Sequence, residues 1–237
     1  MGKGLRVAAV IPAYNEHGKI GRVVRKIPPG IVDEILVIDD HSADDTADEA
    51  RSAGATVIRH ERNTGVGGAI RSGIDYARQN GFQIVTILSG DDQHDPTELP
   101  AVLAPLLSDS ADFVQGSRRL PGGRTVDMNL FRRITTRVYA FVFSAVTGFH
   151  STDATNGFRA FSLKIFNDPL INLWQPWLNT YELEPYLFYN VVKTGKRVVE
   201  VPITIIYHAQ GTTKMRPFRD WWRIFRPLVF LVLKIRK

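Results

Sequence analysis

Through the first half of the chain, short apolar, β-branched runs alternate with segments of helical period, the pattern of βαβ units around a mostly parallel sheet. The runs at 5–11, 34–39, 55–60, 83–89 and 112–116 read as strands, and 18–27, 44–53, 66–80 and 97–107 as the helices between them. These strands are apolar throughout rather than alternating, as expected when helices cover both faces. Beyond residue 117 the rhythm changes. The loop SRRLPGGRT leads into a long amphipathic helix at 128–148, followed by DATNGFRAF at 153–161, a helix around 181–194, strands within 197–207 and a last helix ending LVFLVLKIRK. With no internal repeat or low-complexity linker, residues 1–207 read as one α/β domain in two halves, 1–117 and 118–207, and 208–237 as a basic, partly apolar C-terminal segment.

The polar clusters fall directly after the strands. Asn15 and Glu16 follow the first, Asp39 and Asp40 end the second, Asn63 to Gly68 follow the third and Asp91 to His94 follow the fourth. In an open α/β sheet the loops beyond the carboxyl ends of the strands form the ligand crevice, so these clusters converge on one cleft.

Composition narrows the chemistry. The 237 residues are 44% hydrophobic and 23% charged, a globular balance, and contain no Cys, which removes disulfides, zinc thiolates and cysteine nucleophiles. The opening MGKGLRVAAVIPAYNE has no small-residue cleavage site and does not read as a signal peptide, and no run reaches the 18 apolar residues or so of a membrane span. The net charge of +6 is divided unevenly: residues 1–111 carry 11 Lys or Arg and 16 Asp or Glu, residues 112–237 carry 19 and 8. That division argues against a uniformly basic nucleic-acid footprint.

Three motifs carry candidate chemistry. SGDDQHDP (89–96) sets Asp91 and Gln93 at alternate positions of an extended segment, on one side, as oxygen ligands for a hard divalent cation; a solvated turn before Pro96 is the competing reading. In DDHSADDT (39–46), Asp40 accepts from a base or ribose hydroxyl, or else Ser42 or Asp44 simply caps the next helix and the aspartates are loop anions. NTGVGGAIRSG (63–73) opens a helix with glycines that either present amides to a phosphate or form a tight turn. Arg118, Arg119, Arg132, Arg133, Arg159, Lys214 and Arg216 supply anion receptors in the second half, suited to substrates phosphorylated on both sides of the exchanged bond.

IPAYNE (11–16), VIDDHSADDT (37–46), RNTGVGGAIRSG (62–73), SGDDQHDP, GSRRLPGG (116–123), DATNGFRAF, VPI (201–203) and GTTK (211–214) occur in an order that resembles family 2 glycosyltransferases, most specifically the polyprenyl-phosphate or dolichyl-phosphate sugar synthases. The resemblance covers nearly the whole chain and implies the GT-A fold, with 1–117 as the nucleotide-sugar half and 118–207 as the acceptor half. It implies an inverting transfer of a hexose from a GDP- or UDP-sugar, GDP-mannose or UDP-glucose favoured, to a polyprenyl or dolichyl phosphate, with Mg²⁺ or Mn²⁺. By the same resemblance Pro12, Tyr14, Glu16, Asp40, Asn63 and Gly67 hold the donor, and Asp91 and Gln93 hold the metal. Arg118, Arg132 and Lys214 face the phosphates, with Asp91, Arg118 and Lys214 the catalytic set.

One departure stands out: Ser89 occupies the place of the first Asp of the usual Asp-x-Asp, leaving Asp92 as a possible substitute. A phosphate acceptor is already ionised near neutral pH, so a base matters only for a hydroxyl acceptor, with Asp153 and Glu184 in reserve. The helix bearing Arg132, Arg133 and Arg137 beside Val138, Tyr139, Phe141, Val142 and Phe143, together with Trp221 and Trp222, suits an anionic interface, and core packing is the alternative. The expected setting is the cytoplasmic face of a membrane, by peripheral contact or through a membrane partner. Trp174 and Trp177 either line the sugar or acceptor side or pack the core. Three other classes compete: a same-fold enzyme acting on a lipid-linked saccharide or small hydroxyl acceptor, a nucleotidyltransferase, whose phosphate loop IPAYNEHGK matches poorly, and a basic scaffold protein, which leaves the strand-end carboxylates unexplained.

Overall fold

Strand β1 (Val7–Ala13) is apolar at every position because both of its faces are covered. Ala8 and Val10 enter a core with Ala69, Ile70 and Ile74, whereas Val7, Ala9 and Ile11 enter a second core with Val23, Val24 and Leu103. The period of two thus feeds two helix layers from one strand. The computed structural model describes residues 4–207 and 217–235. After β1 come α1 (Ile20–Lys26), β2 (Glu34–Asp39), α2 (Thr46–Ser52), β3 (Thr56–Arg59), α3 (Val66–Gln79) and β4 (Ile84–Ile87). Next are α4 (Leu99–Leu107), β5 (Phe113–Ser117), β6 (Arg124–Val126), α5 (Leu130–Thr147), β7 (Arg159–Ser162), α6 (Leu183–Lys193), β8 (Val198–Pro202), β9 (Thr204–Ile206) and α7 (Pro217–Val232). Helix α3 lies so close to β1 that a Cβ on Gly73 would sit 2.3 Å from Val10 Cγ1.

The main sheet runs β3-β2-β1-β4-β7-β5-β8. All pairings are parallel except those of β7, which is antiparallel to both β4 and β5. This strand lies inside DATNGFRAF, where no strand was expected, and it draws the 153–158 loop to the middle of the sheet, beside the 89–94 loop. The segment 197–207 also divides: β8 joins the main sheet, while β9 pairs with β6 in a separate two-stranded ribbon.

Helix α5 begins at an Asn129 cap, whose Oδ1 accepts from Arg132 N at 2.8 Å, and ends at Gly148 in the left-handed region. Its inner face sends Tyr139 onto Phe225 of α7, with ring centroids 4.9 Å apart, and Phe143 onto Phe188 of α6, 4.5 Å apart. Ile224, Leu228 and Leu231 of α7 lie in the same core as β1 and α3, and buried Glu182 pairs with Arg226. The helix of the C-terminal segment is therefore packed into the domain that was expected to stop at 207. Tyr139 and Phe143, counted among the interface candidates, are core residues, whereas Leu130, Phe131, Ile134, Val138 and Phe141 form an exposed apolar stripe on α5 beside exposed Arg133 and Arg137. Among the described residues no helix is long and apolar enough to cross a membrane.

Candidate active site

The loops after β1, β2, β3 and β4 meet at one end of the sheet. Pro12 pairs with Ile38, and a Cβ on Gly90 would stand 3.1 Å from the Pro12 carbonyl oxygen, so the first loop touches the Asp91 loop. Asn15 N donates to Ser42 Oγ and Glu16 N to Thr46 Oγ1, lacing the first loop to the second. Tyr14 is exposed, while Glu16 is buried with its carboxylate 3.0 Å from Lys19 Nζ.

Asp40 is buried, and it organises the third loop. Its Oδ1 accepts from Thr64 N and Thr64 Oγ1 and lies 2.8 Å from His60 Nδ1, and its Oδ2 accepts from Gly65 N. Asp40, expected to meet a base or ribose hydroxyl, thus orders the third loop, with a single donor among the described residues, Gly65 N, on Oδ2. Asn63 Nδ2 donates to the Asp40 carbonyl at 3.2 Å, as part of the same loop. The glycines that follow let this loop pack closely on residues 178–180. A Cβ on Gly67 would sit 2.3 Å from the Leu178 carbonyl oxygen, and Gly68 N donates to the Asn179 carbonyl.

At the end of β4, Asp91 Oδ1 accepts from Ser89 Oγ at 2.6 Å and from Gln93 N at 3.1 Å. Asp92 takes a positive φ of 62° and turns away, 3.0 Å from Arg22 Nε and 2.9 Å from Lys26 Nζ of α1. Burial alone would raise its pKa, but the hydrogen bonds and charges of Lys26 and Arg22 hold it below the usual carboxylate value. Asp92 therefore does not replace the carboxylate missing at Ser89. Among the described residues no group of three or more His, Cys, Asp or Glu side chains gathers around one point. Asp91 and Gln93 nonetheless fit a hard divalent ion, which takes oxygen ligands and leaves most positions to substrate phosphates and water.

His94 closes this loop. Its Nδ1 accepts from Ser89 N at 2.9 Å, which leaves the ring proton on Nε2, and the ring stacks on Phe158 with centroids 5.1 Å apart. Burial, then the charge of Arg118, pulls its pKa down to about 3.

Beyond His94 opens a cavity of about 180 Å³, walled by Gln93, Arg118, Arg132, Tyr181, Glu184 and Tyr207 among others. Arg118 grips Asp153 with Nε at 2.5 Å and Nη2 at 2.7 Å, and donates further to Tyr207 Oη and Thr155 Oγ1. Asp153 is fully buried. Burial raises its pKa, but the charge and hydrogen bonds of Arg118 outweigh that and hold it ionised, while Arg118 is pushed upward by the same pairing against its own desolvation. Asp153 is thus the counter-ion of Arg118 and not an available base. Arg132, from the first turn of α5, stacks over Tyr207 at 4.8 Å and reaches the same cavity. Arg159, expected as an anion receptor, is wholly internal, with Nη2 3.3 Å from Glu184 Oε1. Arg119 is likewise turned inward, onto Thr136 and the Thr152 carbonyl.

Lys214, Arg216 and the GTTK motif lie outside the described residues. Trp174 hydrogen-bonds Asp75 and lines a separate open groove of about 600 Å³ beside His60, Arg62 and Arg71, and Trp177 packs edge-on against Tyr186 and Phe230. Neither tryptophan lines the cavity. Tyr181 and Tyr207 were not anticipated. Their only sequence signal is position, one just before α6 and the other just after β9.

The profile described as Glycosyl transferase family 2 matches residues 8–169. An undecaprenyl-phosphate mannosyltransferase of Micrococcus luteus is 30% identical over 220 residues, covering 89% of this chain and 88% of its own. A UDP-N-acetylglucosamine–dolichyl-phosphate N-acetylglucosaminyltransferase of Methanococcus voltae is 30% identical, covering 96% of both chains. Among solved structures, glucosyl-3-phosphoglycerate synthase of Mycobacterium tuberculosis, with Mn²⁺, UDP-glucose and phosphoglyceric acid, superposes with a TM-score of 0.71 at 20% identity, covering 99% of this chain and 82% of that one. The likeness establishes the GT-A architecture.

Proposed function

Because the chain belongs to glycosyl transferase family 2, we propose that it transfers a hexose from a GDP- or UDP-sugar to a polyprenyl or dolichyl phosphate with inversion at the anomeric carbon. The observation that carries this reading is the cavity itself, whose lining combines Gln93 of the Asp91 loop with Arg118 and Arg132. The relatives of comparable length are transferases to undecaprenyl and dolichyl phosphate, which supports the same acceptor class here. In this reading the donor diphosphate lies at Asp91 and Gln93, the acceptor phosphate at Arg132, and the sugar between them.

An acceptor phosphate oxygen attacks the anomeric carbon as the bond to the nucleoside diphosphate breaks, and the electron pair leaves with the diphosphate. Mg²⁺ or Mn²⁺, when bound through Asp91 and Gln93, offsets the charge that develops on that leaving group. Arg132, held against Tyr207, orients the acceptor phosphate, and Arg118, already balanced by Asp153, fixes the wall behind it. Lys214 belongs to the same proposal as a further phosphate contact. Pro12, Tyr14, Glu16, Asn63 and Gly67 are assigned to the donor side, with Glu16, Asn63 and Gly67 shaping its loops. The exposed stripe of α5, with Phe141 75% and Leu130 69% exposed between arginines, supports a peripheral position on an anionic membrane surface at the cytoplasmic face.

The test is direct: purified protein with Mn²⁺ or Mg²⁺, GDP-mannose, UDP-glucose or UDP-N-acetylglucosamine singly, and a short polyprenyl phosphate, followed by mass spectrometry of the lipid. A glycosyl-phosphoryl lipid that requires donor, lipid and metal is the expected product. Donor binding without any such lipid, in the presence of vesicles, would reject the acceptor class.

A further inference from the structure

A cavity assigned to phosphates contains one carboxylate. Among its described lining residues Glu184 is the only Asp or Glu, standing with three arginines, two tyrosines, Gln93 and His94. An anionic side chain does not favour a phosphate beside it, and with Arg159 balancing its charge from behind, Glu184 suits a further partner that is neutral and rich in donors. The fold devotes costly groups to aiming it. Arg159 is 1% exposed, places Nη2 3.3 Å from Glu184 Oε1, and donates from Nη2 to the main-chain carbonyl of Asn156 and from Nη1 to that of Glu184. A guanidinium taken out of water this completely is tolerated only where its partners are well placed.

The carboxylate also lies toward the donor. A Cβ on Gly157 would stand 3.1 Å from Glu184 Oε1 and 3.7 Å from His94 Cε1, so both atoms border the one small space that the glycine leaves open. Tyr181 lines the same cavity as Glu184, and burial, then the charges of Asp220, Glu184 and Asp91, raise its pKa. The geometry points to Glu184 as the residue that reads a hydroxyl of the transferred hexose and so sets sugar specificity, with Arg159 as its positioning residue. This rests on the donor reading proposed above and adds the part of the donor that Glu184 contacts. A hexose offers O–H donors and no charge, and a site built to accept from a hydroxyl rejects a sugar that lacks it.

Binding measurements on the full chain separate the alternatives. With Mn²⁺ present, calorimetry compares a nucleoside diphosphate with the corresponding nucleotide hexose on wild type and on Glu184→Gln. The diphosphate affinity should stay within about twofold, while the nucleotide hexose should lose about 10- to 100-fold, the worth of a hydrogen bond to a charged acceptor. One deoxyhexose donor should bind wild type more weakly by a similar factor and lose nothing further in Glu184→Gln. Gly157→Ala, which pushes a methyl against the carboxylate, should show the same selective loss and serves if Glu184→Gln does not fold. Equal losses for diphosphate and nucleotide hexose, or unchanged hexose binding in Glu184→Gln, would overturn the assignment while leaving the proposed reaction standing. A wild type that binds diphosphate but no nucleotide hexose would remove the donor reading and this assignment with it.

Discussion

Replacing Asp153 by Asn should destabilise the protein far more than the loss of one hydrogen bond. The substitution keeps the shape but leaves the buried guanidinium of Arg118 without its counter-charge, in a site where Nε and Nη2 both face the lost carboxylate. Breaking a buried pair from one side costs about 3–5 kcal/mol, because the remaining charge stays out of water. For a domain of this size that corresponds to a fall in Tm of roughly 6–20 °C. The double variant Arg118→Met/Asp153→Leu, which removes both charges, should be more stable than Asp153→Asn alone even though it changes twice as many side chains. Asp153 has a depressed pKa in the fold, so its contribution is complete above the unfolded carboxyl value near ~3.9 and drains only as pH falls through the folded pKa below that. The gap between wild type and Asp153→Asn should therefore hold at neutral pH and narrow in acid. Thermal and urea unfolding across that range measure it. A Tm change under about 2 °C at pH 7, or a double variant whose cost is the sum of the two single ones, would refute the picture of a charge pair that is expensive to break from one side.

Three further outcomes follow from the same coordinates. Gly67→Ala places a methyl 2.3 Å from the Leu178 carbonyl and should cost about 1–3 kcal/mol while slackening the contact of α3 with residues 178–180, read by urea unfolding and amide exchange. His94 should stay neutral to about pH 3 by nitrogen NMR; since its folded pKa lies below the unfolded value near ~6.5, its share of stability is complete above that pH and declines as pH falls from there. Phe141→Asp on the exposed stripe should leave Tm within about 2 °C, as surface changes do, and weaken sedimentation with anionic vesicles about tenfold; undiminished vesicle binding would remove α5 from the membrane assignment.

The first half of the fold was legible because βαβ units repeat two strong periods, and β1 to β5 fall on the continuous apolar runs between the helical segments. Strand β7 was not, since four residues have too little length to show any period, and only pairing with β4 and β5 makes RAFS a strand. The loops that carry Asp40, Asp91 and Gln93 were visible as polar clusters after strands. What each carboxylate does was not, because that depends on where a loop bends. Asp91 and Asp92 are adjacent in the chain, and a positive φ at the second sends Asp92 back to α1 while Asp91 stays in its own loop with Ser89 and Gln93.

Charge counting misled for a related reason. The excess of Lys and Arg after residue 111 suggested a row of anion receptors, yet Arg118, Arg119 and Arg159 are turned inward onto Asp153, Thr136 and Glu184. Arg226 is committed to Glu182, holding α7 against α6. Each of these cations fastens part of the scaffold, and those with carboxylate partners are largely neutralised locally, so the field felt by a phosphate is set by fewer residues than the sequence total implies. Arg132 reaches the cavity and Arg133 and Arg137 flank the exposed stripe, all three from the first two turns of α5. One helix therefore brings Arg132 to the cavity at its inner side and an apolar, cationic surface to its outer side, as the proposed acceptor requires. A lipid phosphate, with its charge at one end and its chain at the other, matches both surfaces at once.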